Sequence, residues 1–558
     1  MNATIDLQRR RLLQYTAVTL AGVATYPLWA QADTEGFSRV NKPSANFYPD
    51  VELELTENVA DIAIFKGEKT RVWKVTGKVL KGDAGIINNH EGTYLAPTLR
   101  FKKGQKVRLI LNNNLPAQSI LHWHGLHVPA DMDGNPMYAI NQGQTYIYEF
   151  EIRNRAGTYW YHAHTHGVTA KQVYSGLAGL LLVSDEEEQA LNLPGGDYDL
   201  PLVIQDRSFD DNNQLAYSDH MMQRMQGFLG DQIFVNGQPD FVLPVATRPY
   251  RLRLLNGSNS RIYKLAWDDG TPMTVIGVDG GLLEAPEQHS FVMLAPGERL
   301  ELWMDFSGRA INTELTLRSI PFTASTHGGM GMMGGMGMGM MGGHGMMGGG
   351  MGMGMGGHGR GMMGGMGMMS ASALPSGSDY PILKCRINQK TQSDARLPKT
   401  LTPIKALQVK DAQNAANPRA IILSMQHMSA LLNGRSYEMN DIQPDEIVPV
   451  NTVQLIEFDN GFNGGGMHGM MMDMPHPMHL HGEQFQIVKR EVNAAAQEHY
   501  QTVAAGFIDK GWKDVVLVMP GEKVTILKPF NDFKGAFMVH CHNLEHEDMG
   551  MMRDWLVQ

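Results

Sequence analysis

The chain has 558 residues, with 47 Lys and Arg against 57 Asp and Glu, for a formal net charge of −10. That length allows roughly three or four domains and a large buried core. The mildly acidic balance excludes the basic signature of a nucleic-acid binder. Two cysteines are too few for a disulfide framework.

In chain order, the first feature is Arg9-Arg10-Arg11, followed by an apolar stretch over 16–24 and the small-residue site Ala30-Gln31-Ala32. This order of charge, apolar run and cleavage site predicts a removed export peptide of the twin-arginine type over 1–32. The mature protein is therefore expected in the periplasm. The apolar run is short for a bilayer span, and no later segment reads as a membrane helix. Beyond the leader, short runs rich in Val, Ile, Leu, Tyr and Thr alternate with Gly, Pro and Asn, as at 106–112, 144–152, 177–183, 250–255 and 523–527. They predict an all-β chain. The pairs Gly104-Gln105, Gly143-Gln144, Gly297-Glu298 and Gly521-Glu522 stand before several of these runs. Their recurrence predicts one β-sandwich module used three times.

Paired histidines punctuate the two ends of the body. His122-Trp123-His124 and His162-Ala163-His164 lie near the start, and His476-Pro477-Met478-His479-Leu480-His481 lies near the end. Alternate strand positions face one side, so each pair can offer two imidazoles to one cluster. The last twenty residues hold His540-Cys541-His542, then His546 and Met551. On a strand His540 and His542 point one way and Cys541 the other. A thiolate with histidine and a weak axial methionine is a blue-copper ligand set, so one short segment can serve two metal sites back to back. His90, His127, His289 and His499 read as surface or structural residues. His166 is a candidate for orienting a ligand from outside. Cys385, in a predicted strand, reads as a buried inert thiol.

Between the histidine groups lies a low-complexity stretch, 327–369, made almost wholly of Gly and Met with His327, His344 and His358, which carries much of the chain's total of 40 methionines. Glycine gives it no packing and high backbone entropy, so disorder is expected. Thioether sulfur is soft and selects Cu(I). The competing readings are a Met-rich protein-binding surface and an inert linker. A second such stretch, 464–474, ends two residues before His476. It makes Met472, Asp473 and Met474 candidate ligands of a substrate copper.

The motifs HWHGL at 122–126, YHAHTHG at 161–167, HPMHLHG at 476–482 and HCHNLEHEDMGMM at 540–552 resemble the multicopper oxidases, and within them the periplasmic cuprous oxidases of bacterial copper efflux. The resemblance implies three cupredoxin-like Greek-key β-sandwich domains, at 45–187, 195–325 and 400–558, with the disordered Met/Gly-rich insertion at 326–370. The middle domain carries no paired histidines and is expected to be a spacer.

It also implies four copper ions. A type 1 ion is held by His476, Cys541 and His546 with Met551 axial, and a type 2 ion by His122 and His479. A type 3 pair is held by His124, His162 and His542 on one ion and by His164, His481 and His540 on the other. Asp133 and Glu547 resemble the family's proton-relay acids, although Asp133-Gly134-Asn135-Pro136 is also strong turn chemistry in its own right. The implied reaction is one-electron oxidation of Cu(I), or of small aromatic reductants, coupled to reduction of O2 to water. A general laccase, an Fe(II) or Mn(II) oxidase and a non-enzymatic copper store are the alternatives. Hard Fe(II) and Mn(II) favour carboxylate-rich docking rather than sulfur. No nucleic-acid or membrane partner is expected, and a monomer is the default.

Overall fold

The computed structural model describes residues 42–218, 220–323, 372–426, 429–462 and 474–558. They form six β-sheets, two around each of three apolar cores. The cores are built from alternate strand residues. Val51–Ile62, for example, buries Val51, Leu53 and Leu55 and turns the residues between them outward, the period-two pattern of a sheet with one covered face.

One sheet in each unit repeats a single plan. An antiparallel strand pairs with the unit's leading strand, which lies parallel to a third strand, which in turn pairs antiparallel with a fourth. The leading and third strands are Val51–Ile62 and Lys106–Asn113, then Asp199–Arg207 and Pro249–Asn256, then Arg419–Gln426 and Thr452–Asn460. The fourth strands are Thr145–Glu151, Arg299–Asp305 and Glu522–Phe530. Gly143, Gly297 and Gly521 turn the chain into these three strands with φ of 78°, 83° and 72°, backbone that glycine adopts without strain. The Gly-Gln and Gly-Glu pairs are thus the turn of a repeated module.

The middle unit extends past the insertion. Tyr380–Gln389 pairs antiparallel with Glu314–Ser319 and parallel with Val242–Ala246, and Cys385 is fully buried there. A unit ending at 325 lacks this strand; the long Gly/Met stretch separates it in sequence from its hairpin partner. The insertion's own conformation lies outside the described residues. Among the described residues, no helix is long and apolar enough to cross a membrane.

Candidate metal centre

Four strands deliver most of the histidines. Leu121–His122 pairs with Gly157–Ala163 so that His122 faces His162 across the ladder, and His476–Leu480 pairs with Gly535–Cys541 so that His479 faces His540. His124, His164, His481 and His542 follow just beyond the strand ends. The first and third units bring these strand ends together. Eight imidazoles, from residues 122, 124, 162, 164, 479, 481, 540 and 542, gather there, each 2% exposed or less.

The hydrogen bonds decide which nitrogens are free. A carbonyl oxygen only accepts, so a ring nitrogen bonded to one carries the proton. His122 Nδ1 donates to the Asp133 carbonyl at 2.6 Å, and His479 Nδ1 to the Asp514 carbonyl at 2.7 Å. Burial and neighbouring imidazoles push both rings well below the usual histidine range, so both are neutral. Their Nε2 atoms are therefore bare lone pairs, and they face each other at 3.3 Å.

The same holds elsewhere in the cluster. His162 Nδ1 donates to the Ala163 carbonyl and His540 Nδ1 to the Cys541 carbonyl. His481 Nδ1 bonds Asp133 Oδ2 at 2.6 Å. The remaining nitrogens point inward: His481 Nε2 to His540 Nε2 at 3.1 Å, His164 Nε2 to His540 Nε2 at 3.3 Å, and His124 Nδ1 to His162 Nε2 at 3.4 Å. Neither nitrogen of His542 has a partner among the described residues, and its ring centre lies 5.0 Å from that of His124 and 5.2 Å from that of His162.

Lone pairs converging in a dry site repel unless a cation lies between them. Two imidazoles each ~2 Å from one metal ion at a tetrahedral angle place their nitrogens ~3.3 Å apart. The observed spacings fit that geometry, and the donor set, neutral imidazole, suits copper.

A second group lies on the other face of the Gly535–Cys541 strand. Cys541 Sγ is 3.5 Å from His476 Nδ1 and 3.8 Å from His546 Nδ1, and the two Nδ1 atoms are 3.3 Å apart. All three residues are buried, and burial pushes the Cys541 thiol up, so a bound cation is what would make it a thiolate. Met551 is fully buried beside them: its amide donates to the His546 carbonyl and its carbonyl accepts from the Cys541 amide. His546 sits in the short helix Leu544–Asp548, capped by the Asn543 side chain. Its Nε2 donates to the Met225 carbonyl at 3.0 Å, in the helix Met221–Gln226 of the middle unit.

The structure gathers the eight imidazoles in one cluster and His476, Cys541 and His546 in a second, with Met551 buried beside the second. Asp133 and Glu547 are buried against them. Glu547 Oε2 is 3.1 Å from His540 Nδ1, and Glu547 Oε1 is 3.8 Å from His164 Nε2. Burial pushes the Asp133 carboxyl well above its usual range, and its Oδ1 has no hydrogen-bond partner among the described residues. The turn reading of Asp133 holds as well, since it ends one 3-10 turn and Asn135 caps the next.

His166 does not orient a ligand. It is exposed in the turn between the strand Gly157–Ala163 and the helix Thr169–Ser175, and its ring packs 5.1 Å from Tyr437. Met472 and Asp473 lie outside the described residues. Met474 is half-buried and its carbonyl accepts from Asn460. Sequence reasoning missed Asp514, which accepts from His479 through its carbonyl and from His124 Nε2 at 3.0 Å through its carboxylate. Its signal was a lone acid directly before the apolar run Val515–Val518.

Fold and site together define a cupredoxin-type copper protein with two neighbouring groups of candidate copper ligands. The chain belongs to the multicopper oxidase family: two models of that description match residues 71–188 and 402–558. It is similar to the multicopper oxidase mco of Staphylococcus aureus, 28% identical over 88% of each chain. It is also similar to the cell division protein FtsP of Escherichia coli, 35% identical over 54% of this chain and 61% of that one. Among solved structures, the McoA multicopper oxidase of the hyperthermophile Aquifex aeolicus aligns with a TM-score of 0.70 at 29% identity, covering 93% of this chain and 100% of that one.

Proposed function

We propose that this multicopper oxidase oxidises Cu(I) one electron at a time, reduces O2 to water with four electrons and four protons, and serves copper tolerance in the periplasm. The observation that carries the reading is the position of Cys541. It lies between His540 and His542, so one strand joins the Cys541 group to the eight-imidazole group. In this reading His476, Cys541, His546 and Met551 hold a type 1 ion, and His122 and His479 a type 2 ion. His124, His162 and His542 hold one type 3 ion, and His164, His481 and His540 the other. Bound copper supplies one-electron redox chemistry at the first group and dioxygen reduction at the second.

The chain's own residues do the rest. Asp133 and Glu547 relay protons: the raised Asp133 carboxyl keeps a proton next to the His481 ring, and Glu547 stands at His540 Nδ1. With the other ring nitrogen bonded to a carbonyl or carboxylate oxygen, His122, His124, His162, His479, His481 and His540 each present the inward nitrogen for ligation.

Cu(I) as substrate is supported by the sulfur-rich sequence over 464–474 that leads directly into His476. At the end of the longer insertion, Ser372 Oγ donates to the Gly230 carbonyl and the Ala373 amide to Asp231. In the same middle-unit segment, Phe228 donates its amide to Glu545, the neighbour of His546. The outer edge of His546 is capped by the Met225 carbonyl, which suits a bare ion better than a bulky phenol.

The test is oxygen uptake by copper-loaded protein with Cu(I) as sole reductant. Saturable uptake, absent in Cys541→Ser, is the expected result. No uptake from a preparation that still oxidises a phenol would replace the cuprous-oxidase reading with a laccase.

A further inference from the structure

Among the described residues, the middle unit supplies no imidazole to either group, yet its Arg299 reaches the centre. Arg299 begins the strand Arg299–Asp305 and is fully buried. A guanidinium has five N–H donors, and all five are used. Nε donates to the Thr158 carbonyl of the first unit at 2.9 Å. Nη1 donates to the Gly297 carbonyl and to Asp514 Oδ1, at 2.9 and 2.6 Å. Nη2 donates to the Asp279 carbonyl and to Asp514 Oδ2, at 3.0 and 2.5 Å.

Asp514 belongs to the third unit, so one guanidinium ties three units together. Burial pushes the Asp514 carboxyl up and the Arg299 fork pulls it back. With both oxygens taking Arg299 hydrogens, Oδ1 is an acceptor for His124, and His124 Nε2 at 3.0 Å must carry the proton. That leaves Nδ1 as the free nitrogen of His124, aimed at His162 Nε2.

The packing leaves little room for another arrangement. A Cβ on Gly125, next to His124, would stand 2.4 Å from Asp514 Oδ2 and 2.9 Å from Arg299 Nη2; one on Gly297 would stand 3.0 Å from the His542 ring. Both glycines have positive φ, 84° and 83°. The loop that turns into the Arg299 strand therefore lies directly against His542 while Arg299 orients His124.

We propose that Arg299 is a positioning residue for the polynuclear copper site: through Asp514 it fixes the tautomer and ring orientation of His124, so that the unit without ligands sets the geometry of the ligands. This rests on the reading of His124 as a copper ligand. Bidentate geometry matters here, because lysine offers a point charge without the fork. Loss of such an outer partner weakens metal binding by ~10–100-fold.

The experiment compares wild type with Arg299→Met, Arg299→Lys and Asp514→Asn after copper loading. It reads copper per chain, copper retention against a chelator, the type 3 absorption and the blue type 1 band, with thermal unfolding of the copper-free proteins alongside. The expected result is that Arg299→Met loses the type 3 absorption and ~10–100-fold in retention of that copper while keeping the blue band. Arg299→Lys and Asp514→Asn should fall between. His476, Cys541 and His546 make no hydrogen bond or ion pair with Arg299 among the described residues, so a clamp on His124 leaves them alone. If Arg299→Met fails to fold, a selective type 3 loss in Arg299→Lys carries the same weight. Full copper and an unchanged type 3 band in folded Arg299→Met would overturn the proposal, as would parallel loss of both copper signals with apo-protein stability. Wild type that binds copper without any type 3 absorption would instead remove the underlying reading of the cluster.

Discussion

Glu57 is a carboxylate in the apolar core of the first sandwich. It points inward from the strand Val51–Ile62 and is fully buried; Oε1 accepts from Ser119 at 2.9 Å, and Oε2 has no hydrogen-bond partner among the described residues. Burial pushes its carboxyl up to about 8, against a small opposing pull from the Ser119 hydroxyl. The sign follows from linkage. Between pH ~4.5 and ~8 the folded state binds the proton that the unfolded state has lost, so stability is greatest at the acid end and falls as pH rises through the folded pKa. Wild type should lose on the order of a few kcal/mol across that window relative to Glu57→Gln, whose side chain does not titrate. Denaturant unfolding of the copper-free proteins at pH 5 and pH 9 measures it; equal pH slopes would show that Glu57 has found a partner. A different residue-scale outcome is expected for Cys541→Ser, which should abolish the blue band and turnover while the eight imidazoles keep their copper. Metal analysis with absorption spectroscopy separates the two groups.

At the scale of elements, the turn after HWHG holds two rings at once. The Asp133 carbonyl accepts from His122 and its carboxylate bonds His481. Gly134 lets the turn close on the strand it serves: its φ is 93°, and a Cβ there would stand 2.3 Å from the Leu121 carbonyl oxygen and 2.5 Å from His122 Cα. Gly134→Ala should therefore cost roughly 3 kcal/mol or more, from strained backbone and overpacking together. The atoms it strikes are backbone and cannot rotate away, so His122 must move. The expected readings are a lowered unfolding midpoint and weakened type 2 copper in the EPR spectrum, with type 1 retained. A variant of normal stability and copper content would mean that the turn can be rebuilt.

At the scale of the molecule, the Gly/Met stretch lies between two neighbouring strands. Ser319 and Tyr380 are ladder partners, and the Phe322 amide donates to the Gly377 carbonyl. The chain that leaves the hairpin thus returns to the same place, and loop length contributes only slowly to closure entropy. Deleting 327–369 should leave the thermal midpoint within a few degrees of wild type and the blue band intact. If the stretch captures Cu(I), the deletion should raise the apparent KM for Cu(I) and leave phenol oxidation unchanged or faster. Unchanged Cu(I) kinetics would make the stretch a linker or a surface for another protein. The middle unit has its own whole-molecule role, because its Arg299 bridges the flanking units.

What the sequence determined by itself is local. Strand alternation sends His540 and His542 to one side and Cys541 to the other. Turn chemistry marked Asp133-Gly134 and the Gly-Glu pairs, and composition marked the sulfur-rich stretches. These features repeat over a few residues, where spacing alone carries the information. The tertiary structure decided everything that depends on the meeting of distant segments. Asp514 and Arg299 have no motif of their own; a buried acid and a buried base are recognisable only when 215 residues of separation collapse to a pair of hydrogen bonds. The membership of Tyr380–Gln389 in the middle unit was hidden for the same reason, since the insertion breaks the hairpin that defines it. His166 went the other way: its spacing matched the ligand pairs, but it lies in the turn between the strand Gly157–Ala163 and the helix Thr169–Ser175, exposed and packed on Tyr437.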